Sequence, residues 1–505
     1  MAHCIQTIIL LITTTHLVAH AQNQSLLLAL ATHNTSAYER FMLEENTSFI
    51  DKEFVADRVE GNDVAIQRKR PSLQQATSYL GDPHAEKEWT LLVYMAADND
   101  LRGFGVRNLQ QLCSIGSTQH INIIVECHTR ISNNKKITRR YLIEKDKMLQ
   151  ITDYKEADQP LDSGTANTLI SFCNWGIASF PAKKYGLVLW NHGSGIVDPI
   201  GARITNPSTL FTYNPVTNKL ELDRSIGFLD FINRCDSSLK ERGICWDDET
   251  GHYLTNQDLG TALNTIQTNS LNGKKFEFIG FDACLMSMLE IASIVKNHAH
   301  FMIASQELEL AAGWRYDTIL KPLKESPFNT LEFITHIVET YGDNYNKITD
   351  DYTLSAIRLE TIESVEKNLD KIAQLLLEAL SLQKEQKIKN VIRASKNKFL
   401  CTHFDEPSYI DLHHFYRNLQ ASLKHFEFAD TKAGAMIIEK LEQLLSKGRS
   451  LIEEAVIANR VGKNLKEATG ISIYFPENRV HSSYKKTTFA TSNTWHNFLN
   501  KYMTT

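Results

Sequence analysis

The sequence predicts an α/β protein with a mainly parallel sheet flanked by helices, followed by a mostly helical C-terminal region. Two observations predict it. Short and almost wholly apolar runs, typical of strands buried on both faces, recur between residues 89 and 304. Helical patterns lie between several of these runs, and apolar strands that alternate with helices favour a parallel sheet.

The sequence predicts where the strands and helices of this region begin and end. The first strand, residues 89–97, is a near-continuous apolar run that stops at Asp98, Asn99 and Asp100. The other predicted strands are residues 121–125, 185–190, 276–281 and 301–304. The predicted helices are residues 108–113, 165–180 and 285–295. We therefore assign residues 87–330 to one α/β domain.

From about residue 320 the pattern becomes mostly helical. One helical stripe consists of Ile362, Val365, Leu369, Ile372, Leu376 and Leu380. A second consists of Ile437, Leu441, Leu444, Leu451 and Ala455. The run GISIYFP at residues 470–476 predicts a buried strand ended by proline. We therefore predict a mostly helical C-terminal domain over residues 331–505 with a final strand.

The N-terminus has the pattern of a secretory signal peptide. Residues 5–18 are mostly apolar and lead to Ala19-His20-Ala21, a small-x-small site, so we expect cleavage after Ala21. The segment before the apolar run lacks Lys and Arg, and a short buried helix is the alternative. No later stretch approaches the roughly 20 apolar residues that span a bilayer, so no membrane span is predicted.

Residues 22–86 are dominated by Asn, Ser, Thr and charged side chains and include the basic run QRKRP at residues 67–71. They are interpreted as a pro-region or linker, and a leader without a role fits equally well. The net charge of −5 gives no electrostatic reason to expect nucleic acid as a partner. The composition, 42% hydrophobic and 22% charged, is that of a globular protein.

The chain has eight cysteines, and the predicted cleavage removes Cys4 and leaves seven. An odd number in an exported protein leaves at least one thiol unpaired, and such a thiol is a candidate for reactivity. Cys235 and Cys245 are close enough in sequence to form a disulfide, which the sequence does not decide. No pair has the CxxC spacing of a zinc ribbon.

Reactive side chains follow two of the predicted strands. The strand at residues 187–190 leads into His192, and the strand at residues 278–281 leads into Cys284. If these strands are neighbours, an imidazole and a thiol face one crevice, as in a cysteine nucleophile with a histidine base. Glycine at 193 lets the backbone approach a substrate, and the N–H groups of Gly193 and Cys284 would face a developing oxyanion. Taken singly, each residue is better explained by packing; for the pair at two strand ends, packing and catalysis are equally good explanations.

The chain resembles the clostripain family of cysteine peptidases. Five segments carry the resemblance: WTLLVYMAADNDL at 89–101, GLVLWNHGSG at 186–195, FIGFDACLMSMLEIA at 278–292, ASQELELAAGWRY at 304–316 and GISIYFP at 470–476. Two lesser matches are DDETGHYL at 247–254 and YIDLHHF at 409–415. Together they extend from about residue 89 to near the C-terminus.

The resemblance implies a caspase-like fold and a catalytic domain over residues 87–330. It implies a dyad of His192 and Cys284 that hydrolyses the peptide bonds of protein or peptide substrates through a thioester. The predicted signal peptide, in turn, indicates a secreted or periplasmic location. The resemblance also implies a preference for Arg or Lys at the P1 position of the substrate, read by Asp282, because a buried carboxylate can hold a guanidinium through two hydrogen bonds.

The sequence departs from the family pattern in two places. A second acidic contact to a basic P1 side chain is missing near Trp314, unless Glu307 or Glu309 supplies it. Residues of about 205–245 form an insertion between His192 and Cys284. Its basic residues are candidate sites at which a zymogen cleaves itself: Lys219, Arg224, Arg234, Lys240 and Arg242.

No cofactor is required for this chemistry. Ca²⁺ remains an option because acidic residues in two loops could supply oxygens, although nothing resembles an EF-hand; these residues are Asp98, Asp100, Asp247, Asp248 and Glu249. Two other functions stay open: a non-catalytic binding or adhesion module on the same fold, and a Cys–His amidase or transpeptidase. The sequence does not indicate an oligomeric state.

Overall fold

The computed structural model describes residues 85–130, 135–151, 160–197, 207–225, 243–324, 329–382, 385–424 and 432–504. Thirteen strands lie within them: β1 (Lys87–Ala96), β2 (Ile121–Arg130), β3 (Lys136–Glu144), β4 (Lys147–Gln150), β5 (Ala182–Trp190), β6 (Phe211–Asn214), β7 (Lys219–Leu222), β8 (Phe276–Asp282), β9 (Ala299–Ala304), β10 (Thr353–Arg358), β11 (Tyr409–Asp411), β12 (Val456–Val461) and β13 (Ser472–Tyr474).

Nine of these strands form one sheet in the order β12-β10-β9-β8-β5-β1-β2-β3-β4. The five central strands, from β9 to β2, pair in parallel, and the two strands at each edge pair antiparallel. Strands β1 and β2 are buried at nearly every position, which is expected where helices cover both faces of a sheet. The prediction of a mainly parallel sheet is confirmed.

The described helices are α1 (Arg102–Ile115), α2 (Ala166–Ser179), α3 (Asn256–Asn269), α4 (Leu289–Val295), α5 (Tyr316–Ile319), α6 (Thr330–Tyr345), α7 (Ile362–Leu380), α8 (Glu385–Ser395), α9 (Leu412–Leu423), α10 (Lys432–Ala455), α11 (Thr488–Ser492) and α12 (Trp495–Thr504). All six apolar residues of the first predicted C-terminal stripe are buried on α7. The second predicted stripe lies on α10.

The helix predicted over residues 285–295 is wrong at its N-terminal end, because α4 begins only at Leu289. Leu285 has a φ of +62°, a left-handed conformation that a right-handed helix does not contain. Met288 pairs in parallel with Ser472 as an isolated bridge. The four residues before α4 therefore form a turn between strand and helix, directly after Cys284.

The C-terminal region contributes to the same sheet as the residues before it. Strands β10 and β12 extend the sheet beyond β9, and the predicted final strand is present as β13, paired with β11. The sheet thus continues across residue 330, and the division into two domains there stays a prediction. Within the described residues, no helix combines the length and the apolar character needed to cross a bilayer.

Two of the predicted segments lie largely outside the described residues. They are the signal peptide at residues 1–21 and the pro-region or linker at residues 22–86, of which only residues 85 and 86 are described. The predicted insertion is described over residues 207–225 and 243–245, where β6 and β7 form an antiparallel pair. Cys235 lies outside the described residues, so its pairing with Cys245 stays open.

Candidate active site

His192 and Cys284 lie at the same edge of the sheet. Strands β5 and β8 are neighbouring parallel strands, and Trp190 is opposite Asp282 at their ends. Each candidate residue follows two positions after this matched pair, and adjacent strands are only about 4.8 Å apart. One pocket is lined by both residues, together with Asp282 and Glu309. The strand adjacency that the sequence argument required is therefore present.

The loop that carries His192 is anchored through its neighbour Asn191. The Asn191 backbone N–H donates to the carbonyl of Asp282 at 3.3 Å. Its side-chain amide donates to the carbonyl of Ala96 and accepts from the backbone N–H of Trp246 at 2.9 Å. These contacts join the ends of β1, β5 and β8. They fix the backbone at Asn191, directly before the residue that carries the imidazole.

The His192 side chain is fully buried and forms a hydrogen bond with Asp100, a contact that the sequence does not predict. Its Nε2 lies 2.7 Å from Oδ1 of Asp100. Its Nδ1 is buried and has no hydrogen-bond partner among the described residues. From the sequence alone, Asp100 is expected only to end the first strand and to offer an oxygen to Ca²⁺. The available signal was its position just after β1, the strand next to β5.

The Cys284 thiol is also buried. The backbone N–H of Glu309 donates to its Sγ at 3.1 Å. Burial raises the pKa of the thiol well above its usual range, and the nearby carboxylates, that of Glu309 first, raise it further. Cys284 is therefore a neutral thiol in the resting protein, and a base would have to remove its proton before its sulfur could act as a nucleophile. The left-handed φ of Leu285 turns the chain sharply after Cys284.

Gly193 packs directly against the backbone of Cys284. A Cβ atom built on Gly193 would lie 2.3 Å from the carbonyl oxygen of Cys284, so no side chain fits at this position. This close approach brings the backbones of the two residues named as oxyanion donors together. The role of their N–H groups as oxyanion donors stays a prediction.

Asp282 presents a buried carboxylate to the pocket. Its Oδ1 accepts a hydrogen bond from the backbone N–H of Trp314 at 3.1 Å, and its Oδ2 accepts one from the hydroxyl of Tyr316 at 2.8 Å. Burial raises the pKa of this carboxyl to about 7 in spite of both hydrogen bonds. Gly313, with a φ of +56°, is so close that a Cβ on it would lie 2.5 Å from Oδ1.

Of the two candidates for a second acidic residue, Glu309 lines the pocket and Glu307 is engaged elsewhere. The carboxyl group of Glu309 is buried and lies against the carboxyl group of Asp282, close enough for the two to share a hydrogen bond. Burial and the negative charge of Asp282 raise the pKa of Glu309 well above its usual range. Glu307 instead forms an ion pair with Arg224 at 2.7 Å and accepts from the backbone N–H of Asp405 at 3.0 Å.

Comparison with known proteins identifies the family. The sequence profile of the clostripain family, peptidase family C11, matches residues 93–206 and 232–502, more than half of the chain. This chain belongs to the clostripain family. It is therefore a cysteine peptidase, which acts on peptide substrates, and the resemblance inferred from its motifs is confirmed.

Individual relatives of this clostripain-family peptidase are distant. Clostripain of Hathewaya histolytica is 21% identical over 485 residues, covering 84% of this chain and 82% of that protein. A secreted C11 cysteine protease from Bacteroides thetaiotaomicron, solved with an irreversible peptide inhibitor, has a TM-score of 0.50 at 18% identity. It covers 82% of this chain and 98% of its own. A second structure of a secreted C11 protease from that organism, iotapain, has a TM-score of 0.50 at 16% identity. The structures confirm the caspase-like fold.

In this clostripain-family peptidase the C-terminal region supports both site loops. The hydroxyl of Tyr409 donates to the carbonyl of Ser194 at 2.6 Å and accepts from the backbone N–H of Val197 at 3.0 Å, which fixes the loop after His192. The backbone N–H of Ser472 donates to the carbonyl of Ser287 at 2.9 Å, just after Cys284. Residues beyond 400 thus hold the two segments that directly follow His192 and Cys284.

Most of the acids considered as calcium ligands contact basic side chains of the peptidase itself. Arg130 pairs with Asp98 at 2.5 Å and with Glu249 at 3.3 Å. The buried ammonium of Lys136 contacts Asp247 and lies 3.5 Å from Asp98. In the described part of the chain, no group of three or more acidic, His or Cys side chains is arranged to hold a metal ion. Calcium dependence stays an untested expectation.

Proposed function

We propose that this chain is a secreted cysteine endopeptidase in which Cys284 is the nucleophile and His192 the general base. We further propose that it cleaves after Arg or Lys. The observation that carries the proposal is the matched position of the two residues beyond the paired ends of β5 and β8, in one pocket with two buried carboxyl groups. The reaction assigned to the pair is peptide hydrolysis through a thioester.

The proposed reaction starts from the neutral thiol. Sγ of Cys284 attacks the scissile carbonyl while its proton passes to Nδ1 of His192, which has no other partner in the described residues. The N–H groups of Gly193 and Cys284 stabilise the oxyanion. The imidazolium then gives its proton to the leaving amine, and water hydrolyses the thioester with His192 again as base.

The two carboxyl groups account for the proposed preference for a basic P1 side chain. An empty pocket keeps its acids partly protonated because desolvation disfavours their charged forms, as the raised pKa values of Asp282 and Glu309 indicate. A guanidinium or ammonium group entering the pocket compensates that cost and forms strong charge-assisted hydrogen bonds. We therefore assign Asp282 and Glu309 together to the S1 pocket, which receives the P1 side chain.

Secretion and self-processing complete the proposal. The predicted signal peptide at residues 1–21 supports export, and the insertion between base and nucleophile offers sites for cleavage. Lys219 is a poor site because it lies in β7, whose backbone pairs with β6, and its ammonium binds Asp350 at 2.6 Å. Arg224 is a poor site as well, because its guanidinium pairs with Glu307 at 2.7 Å and with Asp351 at 3.2 Å. Arg234, Lys240 and Arg242 lie outside the described residues and remain candidates.

The proposal is tested by a positional scan of P1 residues in a fluorogenic peptide library with wild type, Cys284→Ala and Asp282→Asn. Wild type should favour Arg and Lys, and Cys284→Ala should be inactive but folded. Asp282→Asn should lose about 1.5–3 kcal/mol, or roughly 10- to 150-fold in kcat/KM, on basic substrates alone, since charge-assisted hydrogen bonds contribute that much. Equal loss on neutral and basic substrates would show that Asp282 only braces the loop, and mass analysis for joined peptides would reveal a transpeptidase.

A further inference from the structure

We propose that Asp100 is a positioning residue for catalysis. Its carboxylate accepts the Nε2–H of His192 and thereby makes Nδ1 the nitrogen that exchanges protons with Cys284 and the leaving group. This inference rests on the proposed role of His192 as general base. It adds a third residue to the reaction, supplied by the turn after β1.

The geometry decides which nitrogen carries the proton. A neutral imidazole has one donor and one acceptor nitrogen, and an ionised carboxylate can only accept. The 2.7 Å contact of Asp100 Oδ1 with Nε2 therefore places the hydrogen on Nε2 and leaves the lone pair on Nδ1. Nδ1 is buried and has no partner among the described residues, so its lone pair is free to accept the thiol proton.

The turn between β1 and α1 holds Asp100 in this position. The side chain of Asn99 donates to the carbonyls of Ala96 at 2.9 Å and Trp246 at 3.1 Å. It also accepts from the backbone N–H of Leu101 at 3.0 Å. The residue before Asp100 is thus tied back onto the end of the strand, and the backbone after it is fixed. Within the described part of the chain, the contact with His192 is the one hydrogen bond recorded for the Asp100 side chain.

The carboxylate acts mainly after the proton has moved. When Sγ forms its bond to the carbonyl carbon, the thiol proton passes to Nδ1 and the imidazole becomes a cation with two N–H groups. The negative charge of Asp100 stabilises this cation more than the neutral ring, and the His192 ring is fully buried, where charges interact strongly. Nδ1 then gives the proton to the leaving amine. Loss of Asp100 should therefore reduce kcat more than it changes KM.

The test compares wild type with Asp100→Asn, Asp100→Glu and Asp100→Gln on one Arg-containing peptide. We expect kcat to fall about 10- to 100-fold in Asp100→Asn with KM nearly unchanged, by analogy with the loss found when the hydrogen-bond partner of a metal-ligating histidine is removed. The Glu variant should keep more activity than the Gln variant of the same size, since only charge differs between them. Asp146→Asn is the matched control. The Asp146 side chain is 73% exposed, and its removal as a carboxylate should leave the activity of wild type.

A second readout links Asp100 to His192. The rate at which iodoacetamide alkylates Cys284, followed by peptide mapping, should fall in Asp100→Asn and in His192→Ala. The double variant should be no slower than His192→Ala, because the two residues act as one unit. Two results would overturn the role of Asp100. One is an alkylation rate in the double variant that shows the losses of the two single variants added together; the other is a full kcat in Asp100→Asn when His192→Ala is inactive. Full activity in His192→Ala would instead refute the proposed dyad. If Asp100→Asn unfolds, equal activity of the Glu and Gln variants overturns the inference.

Discussion

Asp282 and Glu309 place two carboxyl groups in one buried pocket, and burial raises the pKa of both. Neighbouring carboxyl groups that both resist ionisation form a site whose charge depends on pH and on the ligand. At acidic pH the empty pocket is therefore nearly neutral. As the pH rises and the two carboxyl groups lose their protons, the pocket becomes able to bind a cation strongly. If both acids line the S1 pocket, as proposed, this relationship makes the substrate preference depend on pH.

The first prediction concerns the pH dependence of that choice. The carboxyl of Asp282 has a pKa raised to about 7, so the pocket gains negative charge as the pH rises through 7. The ratio of kcat/KM for a P1 Arg substrate to that for P1 citrulline, its neutral isostere, should rise between pH 5.5 and 8.5. Protonation of the thiol and the imidazole cancels in the ratio. A ratio that stays constant across this range would contradict the assignment of the acid pair.

The same raised pKa values predict a stability effect. A carboxyl whose pKa is higher in the folded than in the unfolded state stabilises the fold in acid and loses that contribution as the pH rises through the folded pKa. The change in Tm caused by Glu309→Gln should therefore be more positive at pH 8 than at pH 5. The inactive Cys284→Ala background avoids self-cleavage during the melts. An identical change in Tm at both pH values would show that Glu309 ionises normally.

A third prediction tests how Asp282 is held. Gly313→Ala should weaken the preference for basic P1 residues, since the new Cβ would lie 2.5 Å from Asp282 Oδ1. Gly273→Ala is the matched control: Gly273 has a φ of +80°, and a Cβ there meets no atom within 4 Å. Both substitutions carry the backbone cost of a left-handed residue, about 1–2 kcal/mol. The Arg-to-citrulline ratio should fall only in Gly313→Ala; the same fall in both variants would assign the effect to backbone strain.

The sequence was sufficient to place the central parallel strands and to bring His192 and Cys284 to one pocket, but not to identify the side chains that contact them. Apolar runs bound β1, β5 and β8 because buried parallel strands are apolar at almost every position. His192 and Cys284 follow two of those strands directly, so sheet adjacency alone brings them together. Glu307 and Glu309 lie in an irregular loop without periodicity, where only the three-dimensional path of the backbone decides which one enters the pocket.

The contact of Asp100 with His192 and the start of α4 could not be predicted from the sequence, for related reasons. The orientation of Asp100 depends on the hydrogen bonds of Asn99 to residues 96 and 246, and one of these is distant in sequence. The helix prediction at residues 285–295 followed apolar periodicity. That pattern gives no sign that Leu285 adopts a positive φ and that the chain turns before α4 begins.

A fourth prediction concerns maturation. Wild type expressed without its signal peptide should yield two fragments, and the new N-terminus should follow Arg234, Lys240 or Arg242. Cys284→Ala should remain a single chain. Cleavage after Lys219 is not expected because β7 is paired with β6 and a peptide bond must be extended and unpaired to enter the site. N-terminal sequencing of the fragments decides between these positions, and an intact, fully active wild-type chain would contradict self-processing.

The central claim is that Cys284, activated by His192, is the nucleophile. The most direct measurement treats wild type and His192→Ala with an irreversible peptide inhibitor that carries Arg at P1, followed by intact-mass analysis and peptide mapping. The account predicts one adduct per wild-type chain, located on Cys284 and not on the other cysteines, and a much slower reaction in His192→Ala. An adduct on another residue, or equal labelling rates in the two proteins, would contradict it.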